Sequence, residues 1–126
     1  MNRESLRTFR RYWIVPVVLT LGSWIYGLVE WPHMPVRMVV HKTNFVGGTP
    51  NGWEPRFWGL FGTPVGETLS LILLVLLVEL HAHGKIAFNG DKRGRYASGK
   101  WIAWAISLVL VSAGFGIQMV IVAWNR

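Results

Sequence analysis

The sequence contains no cysteine and few charged residues, and each shortage excludes classes of function. Without cysteine the chain forms no disulfide bond, no thiolate metal site and no cysteine nucleophile. Charged residues make up 15% of its 126 residues, whereas a soluble domain usually carries about a quarter. Hydrophobic residues reach 52%, and the mean hydropathy is +0.34. The composition therefore predicts one membrane-embedded domain.

Signatures of the common enzyme classes are missing from the sequence as well. We find no P-loop, dinucleotide fingerprint, nucleophile elbow or pair of catalytic carboxylates. Glu67 and Glu79 are separated by roughly 18 Å along a helix, which is too far for both to act on one substrate. The sequence accordingly predicts no enzyme activity, no cofactor and no soluble small-molecule substrate.

The chain is basic, with a net charge of +7 and a pI near 10.6. Its lysines and arginines stand in short groups beside apolar runs, as juxtamembrane charges do. We therefore expect no nucleic-acid partner.

Three apolar runs predict transmembrane helices at residues 12–31, 64–82 and 101–124. Each is close to the roughly 20 residues that a bilayer core of about 30 Å requires. The arginine-rich "RTFRR" before the first run also suits a cleavable signal peptide, but no small-x-small cleavage site follows it. Trp101, Trp104 and Trp124 are expected in the two interfacial belts.

The start of the second span is less regular than the other boundaries. "FWGLFG", residues 57–62, is apolar but rich in glycine, and predicts an interfacial or partly re-entrant segment. With the span starting at Pro64, Glu67 and Glu79 lie near its two ends. No charged residue then lies at a midplane and the spans form no internal repeat, which argues against a transporter.

Basic residues also predict the orientation of the spans. The N-terminal tail has four arginines and loop 83–100 has five basic residues, against three in loop 32–63 and Arg126 in the tail. The positive-inside rule places the N-terminus and loop 83–100 in the cytoplasm. The predicted fold is an all-α integral membrane domain, residues 1–126, with three transmembrane helices and a structured external loop at residues 32–63.

The external loop carries a family-like motif. Its stretch "GTPNGWEPR", residues 48–56, resembles a bacterial membrane-protein family with an external signature reading roughly L-P-x-x-I-P-x-H-x-N-x-x-G-x-P-D-G-W-x-x-K. That family is known chiefly from immunity proteins of the sporulation-delaying toxin system. Asn51 stands where the family has an acid, and Arg56 where it has a lysine. "WPHMP", residues 31–35, stands for its paired prolines, and His41 with Asn44 for its histidine and asparagine, with altered spacings.

The resemblance implies a multi-pass protein of the bacterial inner (cytoplasmic) membrane whose loop intercepts a toxin or a signal. The residues alone predict a tight turn at "TPNG", residues 49–52, because proline fixes φ and Asn-Gly accepts positive φ. Trp53 and Trp58 are expected to enter the outer interface. Two interpretations stay open: a rigid surface that recognises a partner, or a cap that only covers the helix ends.

Two histidine-containing groups are weak candidates for binding a metal or cofactor. In "ELHAH", residues 79–83, Glu79 and His83 share a helical face as candidate metal ligands, and His81 is a candidate for ligating a cofactor at the membrane edge. Two ligands do not complete a zinc site. The alternative is that Glu79 pairs with Lys85 or an N-terminal arginine. The second group consists of His33 and His41 with Glu30 or Asn44.

The third span contains a pattern of small residues. Ser112 and Gly116 are four positions apart, which allows close approach of another helix, either within the chain or from another protein. We predict a non-catalytic accessory subunit of a larger membrane complex, in contact with lipids and other integral membrane subunits. The alternative is the stand-alone immunity or sensing protein. The candidate partner-binding residues are Gly48, Pro50, Asn51, Gly52, Trp53, Arg56, Trp58, Ser112 and Gly116.

Overall fold

The computed structural model describes residues 3–44, 48–83 and 93–126. Its elements, in chain order, are α1 (Arg3–Arg10), α2 (Ile14–Glu30), β1 (Arg37–Lys42), β2 (Pro50–Pro55), α3 (Arg56–Ala82) and α4 (Arg93–Asn125). Single 3₁₀ turns at Arg11–Trp13 and Trp31–His33 flank α2. Residues 84–92, part of the basic loop that was used to orient the spans, lie outside the described residues. They include Lys85, one of the expected partners of Glu79.

In the part of the chain that the structure describes, three stretches are long and apolar enough to cross a membrane: Leu6–His33, Arg56–Ala82 and Gly99–Asn125. They correspond to the three predicted spans and indicate a multi-pass membrane protein. A helix of 27 residues extends about 40 Å, enough for a bilayer core and both interfaces. Each of these stretches is longer than its predicted span, because helical residues at both ends continue beyond the apolar run.

Residues 57–62 are not the separate segment before the second spanning helix that was expected. These residues form the first turns of α3, which starts directly after Pro55 and continues through Pro64. Gly59 is used for packing there, since a Cβ at this position would lie 2.8 Å from Cβ of Met38. The earlier start also moves Glu67 to about 17 Å from the beginning of α3. Glu67 therefore lies near the middle of the helix and not, as predicted, near one end of the span.

The all-α prediction needs a correction, because the loop between α2 and α3 folds into an antiparallel hairpin. Its register pairs Arg37 with Pro55 and Val39 with Trp53, with irregularities beyond Val39. The predicted turn at residues 49–52 is also wrong, since Pro50, Asn51 and Gly52 belong to β2. Instead, Thr43 N–H donates to the carbonyl of Thr49 (3.1 Å), so the chain reverses between these two residues.

Among the described residues, the bundle has two buried apolar clusters, one toward each end. At the hairpin end (residues 30–44, 48–61 and 121–126) the cluster contains Met34, Met38, Leu60, Phe61, Ile121 and Val122. At the N-terminal end (residues 3–13, 71–83 and 99–104) it contains Phe9, Trp13, Leu71, Val78 and Ala103. Between the clusters, along all three long helices, lie buried polar side chains, which we call the polar layer: Thr20, Ser23, Glu67, Ser107 and Gln118.

Two helix-interior prolines explain part of the packing of α4. A proline has no N–H to donate, so Pro16 and Pro64 leave the carbonyls of Tyr12 and Leu60 without their usual helical donors. Trp104 Nε1 donates to the Tyr12 carbonyl (2.8 Å). Gln118 Nε2 donates to the Leu60 carbonyl (3.0 Å). Helix α4 therefore supplies the missing donor to each of the other two spans.

Candidate functional site

The hairpin is held against the ends of α3 and α4. Met38 of β1 is completely buried, and it packs where Gly59 leaves α3 without a side chain. At the end of α4, the Asn125 side chain bonds both backbone groups of Val39. Its Oδ1 accepts from Val39 N–H and its Nδ2 donates to the Val39 carbonyl, both at 2.8 Å. The amide thus takes the place of a third strand beside β1.

Two further contacts connect the chain's C-terminus to the hairpin end. Arg126 Nε lies 3.4 Å from Glu30 Oε2, and the Lys42 ammonium lies 5.3 Å from the centre of the Trp124 ring. These contacts, with Asn125, join β1, the end of α2 and the end of α4 into one surface. The hairpin is therefore fixed relative to the bundle by side chains from three elements.

Replacing Asn125 with aspartate is expected to release the hairpin. Aspartate keeps the acceptor for Val39 N–H but loses the donors to the carbonyls of Val39 and Ile121. Two partly buried carbonyls then face an oxygen, which costs about 1.5–3 kcal/mol. Amide hydrogen exchange across β1 should accelerate by about tenfold or more.

The matched control is Asn51→Asp, which changes an exposed amide of the same hairpin in the same way. Hydrogen exchange of β1 should stay close to wild type in this variant, because the side chain of Asn51 bonds the side chain of His41. Equal acceleration in both variants would show that Asn125 does not anchor the hairpin.

The predicted partner-binding residues of the loop divide into two groups. Asn51, Trp53 and Trp58 are exposed, with Trp53 and Trp58 at 48% and 53%. Pro50 is half-buried within β2. The glycines Gly48 and Gly52 are needed for the close packing of the two strands. A Cβ at Gly48 would meet the Asn44 backbone at 2.4 Å, and one at Gly52 would meet His41 Cβ at 2.9 Å.

Arg56 is also occupied within the chain. Its N–H donates to the Val36 carbonyl (2.8 Å), its Nε donates to the Pro35 carbonyl (3.3 Å), and its guanidinium stacks 5.1 Å from the centre of Trp31. It closes the hairpin onto the end of α2. The exposed residues available to a partner are thus Asn51, Trp53 and Trp58.

The family-like positions His41 and Asn51 meet across the hairpin. His41 Nδ1 and Asn51 Oδ1 form a hydrogen bond, although the two residues are ten apart in sequence. The neighbouring Gly52 lies opposite His41 in the register, and its missing side chain leaves room for the ring. His41, Asn51 and Gly52 therefore form one local arrangement of the two strands.

The candidate metal residues near the N-terminal end of the bundle are engaged in an ion pair. Both Glu79 carboxylate oxygens accept from Arg10, at 2.8 and 2.7 Å. His83 Nε2 lies 3.6 Å from Glu79 Oε2, and His81, two residues from each of them, is half-buried. This geometry matches the alternative in which an N-terminal arginine pairs with Glu79. Within residues 3–44, 48–83 and 93–126, no three or more histidine, aspartate or glutamate residues group as metal ligands.

The candidate metal ligands of the external loop, His33, His41, Glu30 and Asn44, contact different residues. His41 bonds Asn51, whereas Glu30 is buried at the end of α2 facing Arg126. His33 is exposed at the end of the 3₁₀ turn and Asn44 is exposed beyond β1. The proposed ligand set is therefore not gathered at one point.

Ser112 and Gly116 lie on the exposed side of α4, away from α2 and α3. A Cβ added at Gly116 would meet nothing within 4 Å among the described residues. Close internal packing occurs instead at Gly114, where a Cβ would lie 2.6 Å from Glu67 Oε1. Of the two interpretations of the small-residue pattern, internal packing is thus wrong for Ser112 and Gly116.

Several structural residues carried signals that the sequence analysis did not use. Gln118 and Asn125 are amides within or just after a long apolar run, and such polar side chains usually have a partner in a membrane protein. Gln118 joins three helices, because it also accepts from Ser23 Oγ at 2.7 Å and donates to the Ser23 carbonyl at 3.0 Å. The position of Gln118 in an apolar run indicates that its side chain has a partner. The sequence does not identify that partner, because the residues it bonds are 58 and 95 positions away.

Comparison with known proteins gives one partial match. Residues 18–66 match the model of a family described as a domain of unknown function (DUF1648). This stretch runs from within α2 through the hairpin to the first part of α3, less than half of the chain. No curated protein and no solved structure matches. The chain is therefore similar, over its hairpin and the adjoining helix segments, to a domain whose function is not known.

Proposed function

We propose that this protein is a non-catalytic accessory subunit of a larger membrane complex, docked through α4. The observation that supports the proposal is the exposed stripe of small residues on α4 opposite its packed side: Ala105, Ser112, Gly116 and Ala123. In lipid, helices associate mainly through close packing, and small residues let two backbones approach. The occupant of this stripe is a transmembrane helix of another subunit.

The position of Gly116 strengthens this argument. Helix interiors disfavour glycine by about 1 kcal/mol relative to alanine, and nothing among the described residues fills the space beside Gly116. A lipid-facing position gains nothing from glycine, whereas a helix crossing does. The chain thus keeps a helix-weakening residue where a foreign helix can use it.

The hairpin provides a second, smaller contact region at the membrane surface. Trp53, Phe57 and Trp58 are each between 44% and 53% exposed, and tryptophan favours the headgroup region. We place this hairpin on the outer face of a bacterial cytoplasmic membrane, with the N-terminus inside, on the basis of the lysine and arginine distribution. The aromatic side chains then contact lipid headgroups beside the partner subunit.

Site-specific crosslinking tests this proposal, since a cysteine-free chain accepts a single introduced thiol. Ser112→Cys in the tagged protein, treated with a short thiol-reactive crosslinker in native membranes, should yield a discrete adduct with another membrane protein. Gly116→Leu should reduce that adduct at least about tenfold, because the added side chain prevents close approach. The adduct is measured by immunoblotting and identified by mass spectrometry.

Gly66→Leu serves as the matched control for this experiment. Gly66 is also an exposed glycine of a spanning helix with nothing within 4 Å of its added Cβ, but it lies on α3. It should leave the adduct unchanged. An adduct only with a second copy of the chain, or equal losses in both variants, would contradict the accessory-subunit proposal.

The second candidate function is a stand-alone immunity or sensing protein that acts through the hairpin. It is favoured by the exposure of Asn51 and Trp53 within the stretch that matches the domain of unknown function. In that case Trp53→Ala should abolish protection or signalling while leaving membrane insertion intact. A Ser112→Cys chain would then give no crosslink to a foreign helix, which separates the two candidates.

A further inference from the structure

A carboxyl group is buried near the middle of the bundle without a described partner. Glu67 is 3% exposed, and neither carboxyl oxygen has a hydrogen-bond partner among the residues that the structure describes. It lies on α3 about 17 Å from Arg56 and about 22 Å from Ala82. Ionisable side chains at such depth are rare and usually have a function.

Glycine and hydroxyl neighbours enclose the carboxyl. Gly114 of α4 is in direct contact with it, since a Cβ there would lie 2.6 Å from Oε1 and 2.8 Å from Cγ. Ser23 of α2 lies beside it but donates its own hydroxyl hydrogen to Gln118 Oε1. Gln118 Nε2 in turn is committed to the carbonyls of Ser23 and Leu60. In this arrangement the Ser23 hydroxyl and the Gln118 amide are hydrogen-bonded to other groups, and neither makes a hydrogen bond of normal geometry to Glu67.

The charged groups of the packed elements have contacts at the ends of the bundle. Toward the N-terminal end, Arg10 bonds Glu79 of α3, and Lys100 of α4 lies over the Phe9 ring. At the hairpin end, Arg126 after α4 faces Glu30 of α2. The two apolar clusters separate the polar layer from both ends. Arg10, Lys100 and Arg126 thus each have a contact at an end of the bundle.

An ionised carboxylate in such a place is unfavourable. Moving a charge into a medium of low dielectric constant without a paired charge or donor costs many kcal/mol, so the group takes up a proton instead. We infer that Glu67 is an intramembrane proton-binding site, whose bound proton is enclosed in the polar layer between the two apolar clusters. The ligand is a single hydrogen ion, held as the neutral carboxylic acid.

The polar layer gives this proton a structural consequence. The O–H group of the neutral acid can donate a hydrogen bond to the Ser23 hydroxyl oxygen, while the Ser23 hydroxyl still donates to Gln118. Once the proton leaves, the carboxylate needs a donor, and the adjacent Ser23 hydroxyl supplies one only by leaving Gln118. Release of the proton therefore breaks the side-chain hydrogen bond between α2 and α4.

Infrared spectroscopy of the full chain in lipid bilayers tests the inference directly. A neutral carboxylic acid has a carbonyl stretching band distinct from that of a carboxylate. At neutral pH in choline chloride we expect this band in the wild-type protein, slowly shifted by deuterium oxide. Glu67→Gln should remove it, whereas Glu79→Gln should retain it because Glu79 is ion-paired with Arg10.

A second variant keeps the test independent of whether Glu67→Gln folds. The triple variant Glu30→Gln, Glu54→Gln and Glu79→Gln leaves Glu67 as the one glutamate of α2, the hairpin, α3 and α4. The band should persist there at full intensity. Absence of the band in wild type, or its loss in the triple variant, would overturn the inference. Loss of the wild-type band when sodium replaces choline would assign the site to a metal cation instead.

Discussion

Replacing Gln118 with leucine is expected to destabilise the helix bundle by about 2–4 kcal/mol. The substitution removes the donor to the Ser23 and Leu60 carbonyls and the acceptor of the Ser23 hydroxyl. Individual hydrogen bonds between membrane helices contribute about 0.6 kcal/mol on average, but a buried group left without a partner costs about 1–3 kcal/mol. The Leu60 carbonyl is such a group, because Pro64 has no N–H to offer it.

A double-mutant cycle with Pro64→Ala isolates that cause. Alanine at position 64 restores an N–H that can donate to the Leu60 carbonyl, so Gln118 is no longer its only donor among the described residues. Gln118→Leu should then cost about 1 kcal/mol less in the Pro64→Ala background than in wild type. Unfolding of the protein in mixed micelles by a denaturing detergent, followed by tryptophan fluorescence, gives both free-energy differences.

Met119→Leu is the control for the cycle. Met119 is the next residue of α4, is 47% exposed, and faces away from the packed side. Its replacement should change the free energy of unfolding by less than about 0.5 kcal/mol in either background. If Gln118→Leu costs the same with proline and with alanine at position 64, the Leu60 carbonyl is not what Gln118 satisfies.

The three spans could be predicted from the sequence because their signals are local. Long apolar runs and flanking tryptophans depend only on neighbouring residues, and Trp101 and Trp124, about 35 Å apart along α4, lie toward its opposite ends as expected. Span boundaries were less predictable. Glycine made residues 57–62 look unsuited to a helix, whereas Gly59 serves the packing of Met38. Because the predicted span started at Pro64 and not at Arg56, Glu67 was expected near the end of the span and not near the middle of the helix.

The hairpin and its anchors could not be predicted for a different reason. Asn-Gly usually indicates a turn, but residues 50–52 pair with β1 because Met38 and Asn125 fix β1 against the bundle. The contact between Asn125 and Val39 joins residues 86 positions apart. The prolines show the same limit. A proline within each of two helices, in "PVVLT" (residues 16–20) and "PVGET" (residues 64–68), predicts a carbonyl four residues earlier without its helical donor. Nothing in the neighbouring sequence identifies Trp104 and Gln118 as the residues that donate to these carbonyls.

Replacing Gly114 with leucine is the second change from which we expect a large effect, about 2–4 kcal/mol of lost stability. Even the first carbon of the new side chain would lie 2.6 Å from Glu67 Oε1 and 3.1 Å from Cδ. Overpacking of this kind costs about 1–3 kcal/mol, and an apolar group pressed against a buried carboxyl adds to that cost. The measurement is the same detergent-induced unfolding in mixed micelles.

Gly116→Leu is the matched control, since it places the same side chain on the same helix two residues later. Nothing described lies within 4 Å of its Cβ, so the chain's own stability should change by less than about 0.5 kcal/mol. Glu67→Ala should also rescue Gly114→Leu by at least about 1 kcal/mol, because the carboxyl that it strikes is gone. Without this rescue, the close contact between Gly114 and Glu67 would not be the source of the cost. Position 114 thus reports on the chain's own packing, and position 116 on the contact with the proposed partner helix.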